Sequence, residues 1–135
     1  AEGMRGSRTA ASQLKTHIES YRRSGQRVAA TFFSGMLAEV LIASRDYSQA
    51  TAVLTQAQRA AEETDERFWQ PELYRLQGEA QLRGSPAQLA AAKPAFEAAI
   101  RLARRQGSRS LEQRSLLAWA GYEKNQLGVA KGIRD

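Results

Sequence analysis

Apolar residues recur along this chain at steps of three and four, the spacing that places them on one side of an α-helix. One such stripe comprises Tyr47, Ala50, Leu54, Ala57 and Ala61, and another comprises Ala92, Phe96, Ala99 and Ala103. Glycine, proline or a short polar run separates one stripe from the next, as expected at helix ends. The pattern predicts an all-α fold of six helices, which begin near residues 11, 28, 47, 69, 88 and 110.

The two ends of the chain carry no regular apolar stripe. Residues 1–10 contain two glycines, and residues 127–135 contain two more. Terminal segments of this kind are commonly poorly ordered. We therefore expect a disordered leader over residues 1–10, a helical-repeat domain over residues 11–126 and a flexible tail over residues 127–135.

The fifth predicted helix contains a proline. Ser85 and Pro86 have the residue types of a helix cap and a first helical residue. Farther along, the ring of Pro94 would clash with the carbonyl of Ala90 in an unbroken helix. We therefore expect a kink or a new helix start between Leu89 and Pro94.

The segments that end alternate helices repeat along the chain. RRSGQR, EETDER and RRQGSR centre on Gly25, Asp65 and Gly107, which lie 40 and 42 residues apart. Thirteen residues after each centre stands a small residue that would let two helices approach closely: Ala38, Gly78 and Ala120. A period of about 40 residues built from paired helices predicts an α-α superhelix of stacked antiparallel hairpins, each burying its apolar face on the next.

Gly78 and the triplet Ala92, Phe96 and Ala99 resemble the residues of a known repeat family. Gly78 matches the small residue in the first helix of a tetratricopeptide repeat, and Ala92, Phe96 and Ala99 match the small-large-small triplet of its second helix. The chain therefore resembles the tetratricopeptide family. Its segments ERFWQPELYRLQGEAQL and AFEAAIRLARRQGSRSLEQRSLLAWA are similar to the C-terminal repeat region of bacterial multidomain signalling ATPases, a group with nucleotide-cyclase or helix-turn-helix activator domains. The resemblance implies a regulatory module that binds a partner or senses an effector.

The residue inventory argues against catalysis. The chain has one histidine, His17, and no cysteine, so multi-histidine and thiolate sites have no ligands. No glycine-rich phosphate loop precedes a Lys-Ser or Lys-Thr pair. The acidic run from Glu62 to Glu66 fits helix-end charge better than a cation site. We expect a protein that is not an enzyme and that holds no cofactor and no metal.

The net charge of the chain is compatible with two functions, protein binding and nucleic-acid binding. The net charge is +6, which attracts polyanions, but the arginines are spread along the chain, and Arg104 and Arg105 precede a glycine at a helix end. The sequence therefore favours a scaffold for a protein or peptide partner, or for other domains of a parent chain, over a basic helical repeat that binds nucleic acid. No run approaches the roughly 18 apolar residues of a membrane span, and the absence of cysteine fits the cytoplasm.

A concave binding groove is the site that hairpin stacking predicts, because the first helix of each hairpin lines that side. Counting from the small residues places five charged side chains there: Glu39, Glu72, Arg75, Glu79 and Arg114. The same count adds Gly35, Leu117 and Gly121. An equally weighted interpretation is a solvated polar face with pairs such as Arg75 and Glu79.

The last predicted helix has more apolar side chains than one packed face requires. Leu116, Trp119 and Tyr122 stand out, with Leu117 beside them. Exposed patches of this kind mark interfaces. The sequence therefore predicts an interface on the terminal helix, through which two copies of the chain would form a homodimer.

Overall fold

A computed structural model describes residues 2–23, 27–85 and 88–134 of the chain. Within these residues the protein is all-helical, with six helices and no strand. The helices are α1 (Glu2–Arg23), α2 (Arg27–Ala43), α3 (Tyr47–Glu63), α4 (Gln70–Gly84), α5 (Leu89–Gln106) and α6 (Arg109–Arg134). The predicted all-α fold is confirmed, and α2 to α6 each begin within one residue of the predicted position.

The outer helices are longer than predicted. Helix α1 begins at Glu2 instead of near residue 11, and α6 continues to Arg134 instead of ending near residue 126. Neither segment contains proline, and an isolated glycine weakens a helix by only about 1 kcal/mol, so the helices continue through both. The leader and tail boundaries at residues 11 and 126 are therefore not helix boundaries.

Helix α5 passes through its proline without a new start. It begins at Leu89, with Gln88 as the preceding cap, and includes Pro94. The helix start at Leu89 coincides with the first residue of the range predicted for a new start, and no second start follows before Pro94. Proline at this position removes one backbone hydrogen bond near the helix start, while the buried Phe96 and its neighbours anchor the helix on the core. Ser85 ends α4, since its N–H donates to the carbonyl of Gln81 over 3.0 Å, and Pro86 lies outside the described residues.

Within the described residues, three helices end in the same left-handed turn. Its central residues have positive φ angles: 64° at Arg45, 53° at Asp65 and 69° at Gly107. In each case the next N–H donates to the carbonyl five residues earlier: Asp46 to Leu41, Glu66 to Ala61 and Ser108 to Ala103, over 2.8, 2.8 and 2.9 Å. The shared ending is the geometry behind the sequence alignment of Asp65 with Gly107. Gly25, the third aligned centre, lies outside the described residues.

The helices pack in sequence order and also across the hairpins. Each helix contacts the next one, and α4 contacts both α2 and α6. The repeated triplets are buried as predicted: Ala50, Leu54 and Ala57 on α3, and Ala92, Phe96 and Ala99 on α5. Ala38 and Gly78 are buried too, but Ala120 is exposed, because no described helix packs on that side of α6. The contacts across the hairpins bring α2, α4 and α6 together on one face.

Candidate functional site

A groove lies on the face that α2, α4 and α6 share. Its larger cavity, which we call the groove cavity, has a volume of about 390 Å³. Apolar lining comes from Phe32, Met36, Trp69, Leu73 and Leu111, and polar lining from Thr31, Glu39, Glu72, Ser110 and Arg114. A second cavity of about 200 Å³ shares Glu39 and extends to Glu79 and Arg83. The larger volume lies within the range of small-molecule and side-chain pockets.

Arg75 is the centre of the charged part of the groove. Its side chain is 9% exposed, and its Nε and Nη2 donate to the two oxygens of Glu72 over 3.1 and 2.6 Å. Nη1 also donates to Glu79, and Nη2 reaches Oε1 of Glu39 on α2 over 3.4 Å. One guanidinium therefore contacts one carboxylate on α2 and two on α4.

Arg114 extends this network to α6. Its Nη1 donates to Oε1 of Glu72 over 2.8 Å, so Glu72 lies between two guanidiniums. Burial acts to raise the pKa of Glu72, but hydrogen bonds and charge from Arg75 and Arg114 outweigh it and hold that pKa below its ordinary value. Glu72 is therefore a charged carboxylate at neutral pH. We refer to Glu39, Glu72, Arg75, Glu79 and Arg114 as the ion cluster.

Tyr122 links the ion cluster to the apolar core. Its hydroxyl donates to Oε1 of Glu79 over 3.3 Å and accepts from Nε of Arg83 over 3.3 Å. Its ring packs against Phe96, with the ring centroids 6.0 Å apart. Burial raises the pKa of Tyr122, so the phenol stays neutral and can keep donating to Glu79.

The structure brings all five predicted groove residues into one network. These five side chains therefore lie together on the face that α2, α4 and α6 share. The pairing of Arg75 with Glu79 is present as well, so this face is a network of ion pairs and also a groove. Arg75 lies beneath the surface, whereas the side chains of Glu39 and Arg114 are 55% and 58% exposed. Among the five residues of the ion cluster, Glu39 and Arg114 are the two that combine groove position with substantial exposure.

Sequence reasoning missed the apolar part of the groove. Phe32 and Met36 are exposed at the groove cavity, although apolar residues of an amphipathic helix are usually buried. Phe32 packs against Trp69, with centroids 5.1 Å apart, and Trp69 packs against the exposed Phe68 at 4.9 Å. The sequence does contain an indication of this surface. Apolar residues occupy a wide arc of α2, and the neighbouring helices cover only part of that arc.

The predicted terminal interface divides into two parts. Trp119 and Tyr122 pack on Phe96, with the Trp119 and Phe96 centroids 5.3 Å apart, so both belong to the α4–α5–α6 packing. Leu116 is exposed, and so is Leu117, at 66%. Trp119 and Tyr122 are half-buried rather than fully covered, so an interface made of Leu116, Trp119 and Tyr122 stays a prediction. Leu117 and Gly121 do not line the groove cavity, although the sequence count placed them with the groove.

Three further findings concern metal sites, membrane-spanning helices and similarity to known proteins. No group of three or more histidine, aspartate or glutamate residues is arranged to hold a metal ion in the part of the chain that the structure describes. Among those same residues, no helix combines the length and apolar character needed to cross a membrane. Comparison with protein-family models, with curated proteins and with solved structures gave no match.

Proposed function

We propose that this chain is a non-catalytic interaction module that binds a peptide or protein segment in the groove across α2, α4 and α6. The observation that carries the proposal is the groove cavity, where exposed Phe32 and Met36 lie beside the ion cluster. Binding sites commonly combine an apolar surface for affinity with a few fixed polar groups for orientation. Both parts are present within one cavity.

Preorganisation of the ion cluster supports this function. Arg75 is buried and bonded to three carboxylates, so Glu72 and Glu79 are held in place before a partner arrives, while Glu39 has one longer contact. Groups that are already ordered lose less conformational entropy when a partner binds. The groove therefore has the rigidity that a recognition surface needs.

The wider setting follows from the tetratricopeptide resemblance. The module would act within a larger bacterial signalling or transcription-regulating protein, where its partner is another protein or a domain of the parent chain. The cysteine-free composition supports a cytoplasmic location. Self-association into a homodimer through α6 is a second contact in this proposal, with Leu116 and Leu117 as its exposed apolar residues.

Nucleic-acid binding is the alternative function, and the net charge of +6 favours it. The groove itself does not add to that charge, because Arg75, Arg83 and Arg114 are matched there by Glu39, Glu72 and Glu79. Binding to random-sequence oligonucleotides that weakens steeply with added salt would support the alternative. Absence of such binding at low salt would exclude it.

A peptide selection tests the proposed function. Peptides selected from a random phage library would be measured against the wild-type chain, Met36→Lys and Thr55→Lys. Met36 lines the groove cavity, whereas Thr55 is exposed on α3, away from it, and introduces the same charge. We expect Met36→Lys to abolish binding and Thr55→Lys to preserve it, with both variants keeping the helical circular dichroism of the wild type. Selected peptides that bind both variants equally would overturn the groove proposal.

A further inference from the structure

Glu39 is the carboxylate that the ion cluster leaves most available. Glu72 receives three hydrogen bonds from Arg75 and Arg114, and Glu79 is bonded by Arg75 and Tyr122. Glu39 has one long contact, from Arg75 to its Oε1 over 3.4 Å. Its Oε2 has no hydrogen-bond partner within the described residues, and the side chain is 55% exposed at the groove cavity. A carboxylate oxygen is therefore free to accept from a ligand.

The charge balance of the groove cavity determines the sign of that ligand. The charged side chains that line the groove cavity itself are Glu39, Glu72 and Arg114, two carboxylates and one guanidinium, so its lining carries a net charge of −1 within a chain that carries +6. A bound cation would balance the lining, whereas a bound anion would add to its excess. Arg114 also has unused donors, but its guanidinium is paired with Glu72 over 2.8 Å, whereas Glu39 has no pair that close.

The apolar part of the cavity determines the shape of the ligand. Phe32 and Trp69 present aromatic surface, with ring centroids 5.1 Å apart, and Met36 lies one helical turn from Phe32. A guanidinium can stack on an aromatic face while its edge donates two hydrogen bonds to a carboxylate. Its aliphatic stem can cover apolar surface such as Met36. Lysine lacks the planar, two-donor edge.

We propose that the groove cavity is a subsite for an arginine side chain of the bound peptide. The guanidinium donates to Glu39 and stacks against Phe32 or Trp69, and the stem lies against Met36. This assignment rests on the proposed function and names the chemical class of the side chain that the groove selects.

Blocked tripeptides test the subsite. The probes are acetyl-Leu-Arg-Leu-amide, its citrulline analogue, which keeps the shape and removes the charge, and its glutamate analogue. Binding would be followed through the indole N–H signal of Trp69 in the nitrogen-labelled full chain. We expect the citrulline probe to bind about tenfold or more weakly than the arginine probe, because a charge-assisted hydrogen bond is lost. The glutamate probe should be weaker still.

Two matched variants locate the effect on one carboxylate. Glu39→Gln should weaken the arginine probe about tenfold and leave the citrulline probe unchanged. Glu97→Gln removes the same charge from an exposed position on α5, outside the groove cavity, and should change neither probe.

The outcomes separate this assignment from the proposed function. Equal binding of the arginine and citrulline probes, with both lost in Met36→Lys, would overturn the arginine subsite and keep the groove. Preferential binding of the glutamate probe would also overturn it and would assign recognition to Arg114. Failure of all three probes at millimolar concentration would overturn the subsite, and the phage-selected peptides would then decide the groove separately.

Discussion

The ring of Phe96 occupies the space that a side chain at residue 78 would need. A Cβ added to Gly78 would lie 2.5 Å from Cε2 of Phe96, closer than atoms in real contacts. In the preceding hairpin the aligned residues are Ala38 and Leu54, both buried in one core cluster. Gly78 on α4 is smaller than its counterpart Ala38 on α2, and Phe96 on α5 is larger than its counterpart Leu54 on α3. The size lost on one helix of the hairpin is therefore matched by the size gained on the other.

Gly78→Ala should destabilise the protein by about 1–3 kcal/mol, the usual effect of overpacking. The loss should appear although alanine favours a helix over glycine by about 1 kcal/mol. Gly35→Ala is the matched control, because its new Cβ would lie 3.8 Å from the nearest atom, on Leu76. Urea unfolding should show that control to be neutral or more stable than the wild type. Combining Gly78→Ala with Phe96→Leu reproduces the residue types of the first hairpin, and its loss should be smaller than the sum of the single losses. Strict additivity would show that the contact with Phe96 is not the cause.

The residues of this contact show why the hairpin packing could be predicted from the sequence. Gly78 and the triplet around Phe96 recur at the period of the repeat, and burial follows from that period. The ends of the outer helices were harder to predict, since α1 and α6 continue beyond residues 11 and 126, where the apolar periodicity stops. Periodicity also cannot tell which apolar residues find a partner helix. Phe32 and Trp119 have the same stripe-like spacing, yet Phe32 is exposed in the groove and Trp119 packs on Phe96.

Removing Arg75 should lower the free energy of unfolding more than removing Arg114. Arg75→Met leaves Glu72 and Glu79 largely buried with fewer partners, and breaking a buried pair costs roughly 3 kcal/mol or more. Arg114→Met should cost about 1 kcal/mol or less, because that side chain is mostly exposed and its pairing is screened by water. Equal losses in urea unfolding would contradict this ranking and show that Arg75 is not the centre of the network.

The stability contributed by Glu72 should depend on pH. The pKa of this carboxyl is lowered in the folded protein, against the effect of burial, by Arg75 and Arg114. Its contribution is therefore fully present above the unfolded pKa of about 4.3 and is lost as the pH falls through the folded value. The difference in unfolding free energy between the wild type and Glu72→Gln should be largest near neutral pH and shrink below about pH 4. A difference that stays constant down to acidic pH would contradict the lowered pKa.

Arg45→Gly should stabilise the protein. Arg45 is exposed and has a φ of 64°, a left-handed conformation that costs a side chain about 1 kcal/mol and costs glycine nothing comparable. Part of this gain is offset by the larger entropy of glycine in the unfolded chain, so we expect about 0.5–1 kcal/mol. Arg59→Gly, at an exposed position inside α3, is the control and should lose about 1 kcal/mol of stability. A loss in both variants would show that the turn after α2 does not need the left-handed conformation.

Self-association through α6 should depend on Leu116 and Leu117. These side chains remain exposed, whereas Trp119 and Tyr122 are half-buried by packing on Phe96. Full burial of a leucine stabilises by about 1.5–3 kcal/mol, and a two-fold contact would bury each residue in both copies. Light scattering over a concentration series should therefore show a dimer that Leu117→Lys dissociates. Gln113→Lys, which adds the same charge at another exposed position of α6, should leave it intact. A wild-type chain that stays monomeric at every concentration would contradict the dimer, and dissociation by both variants would place the contact outside the two leucines.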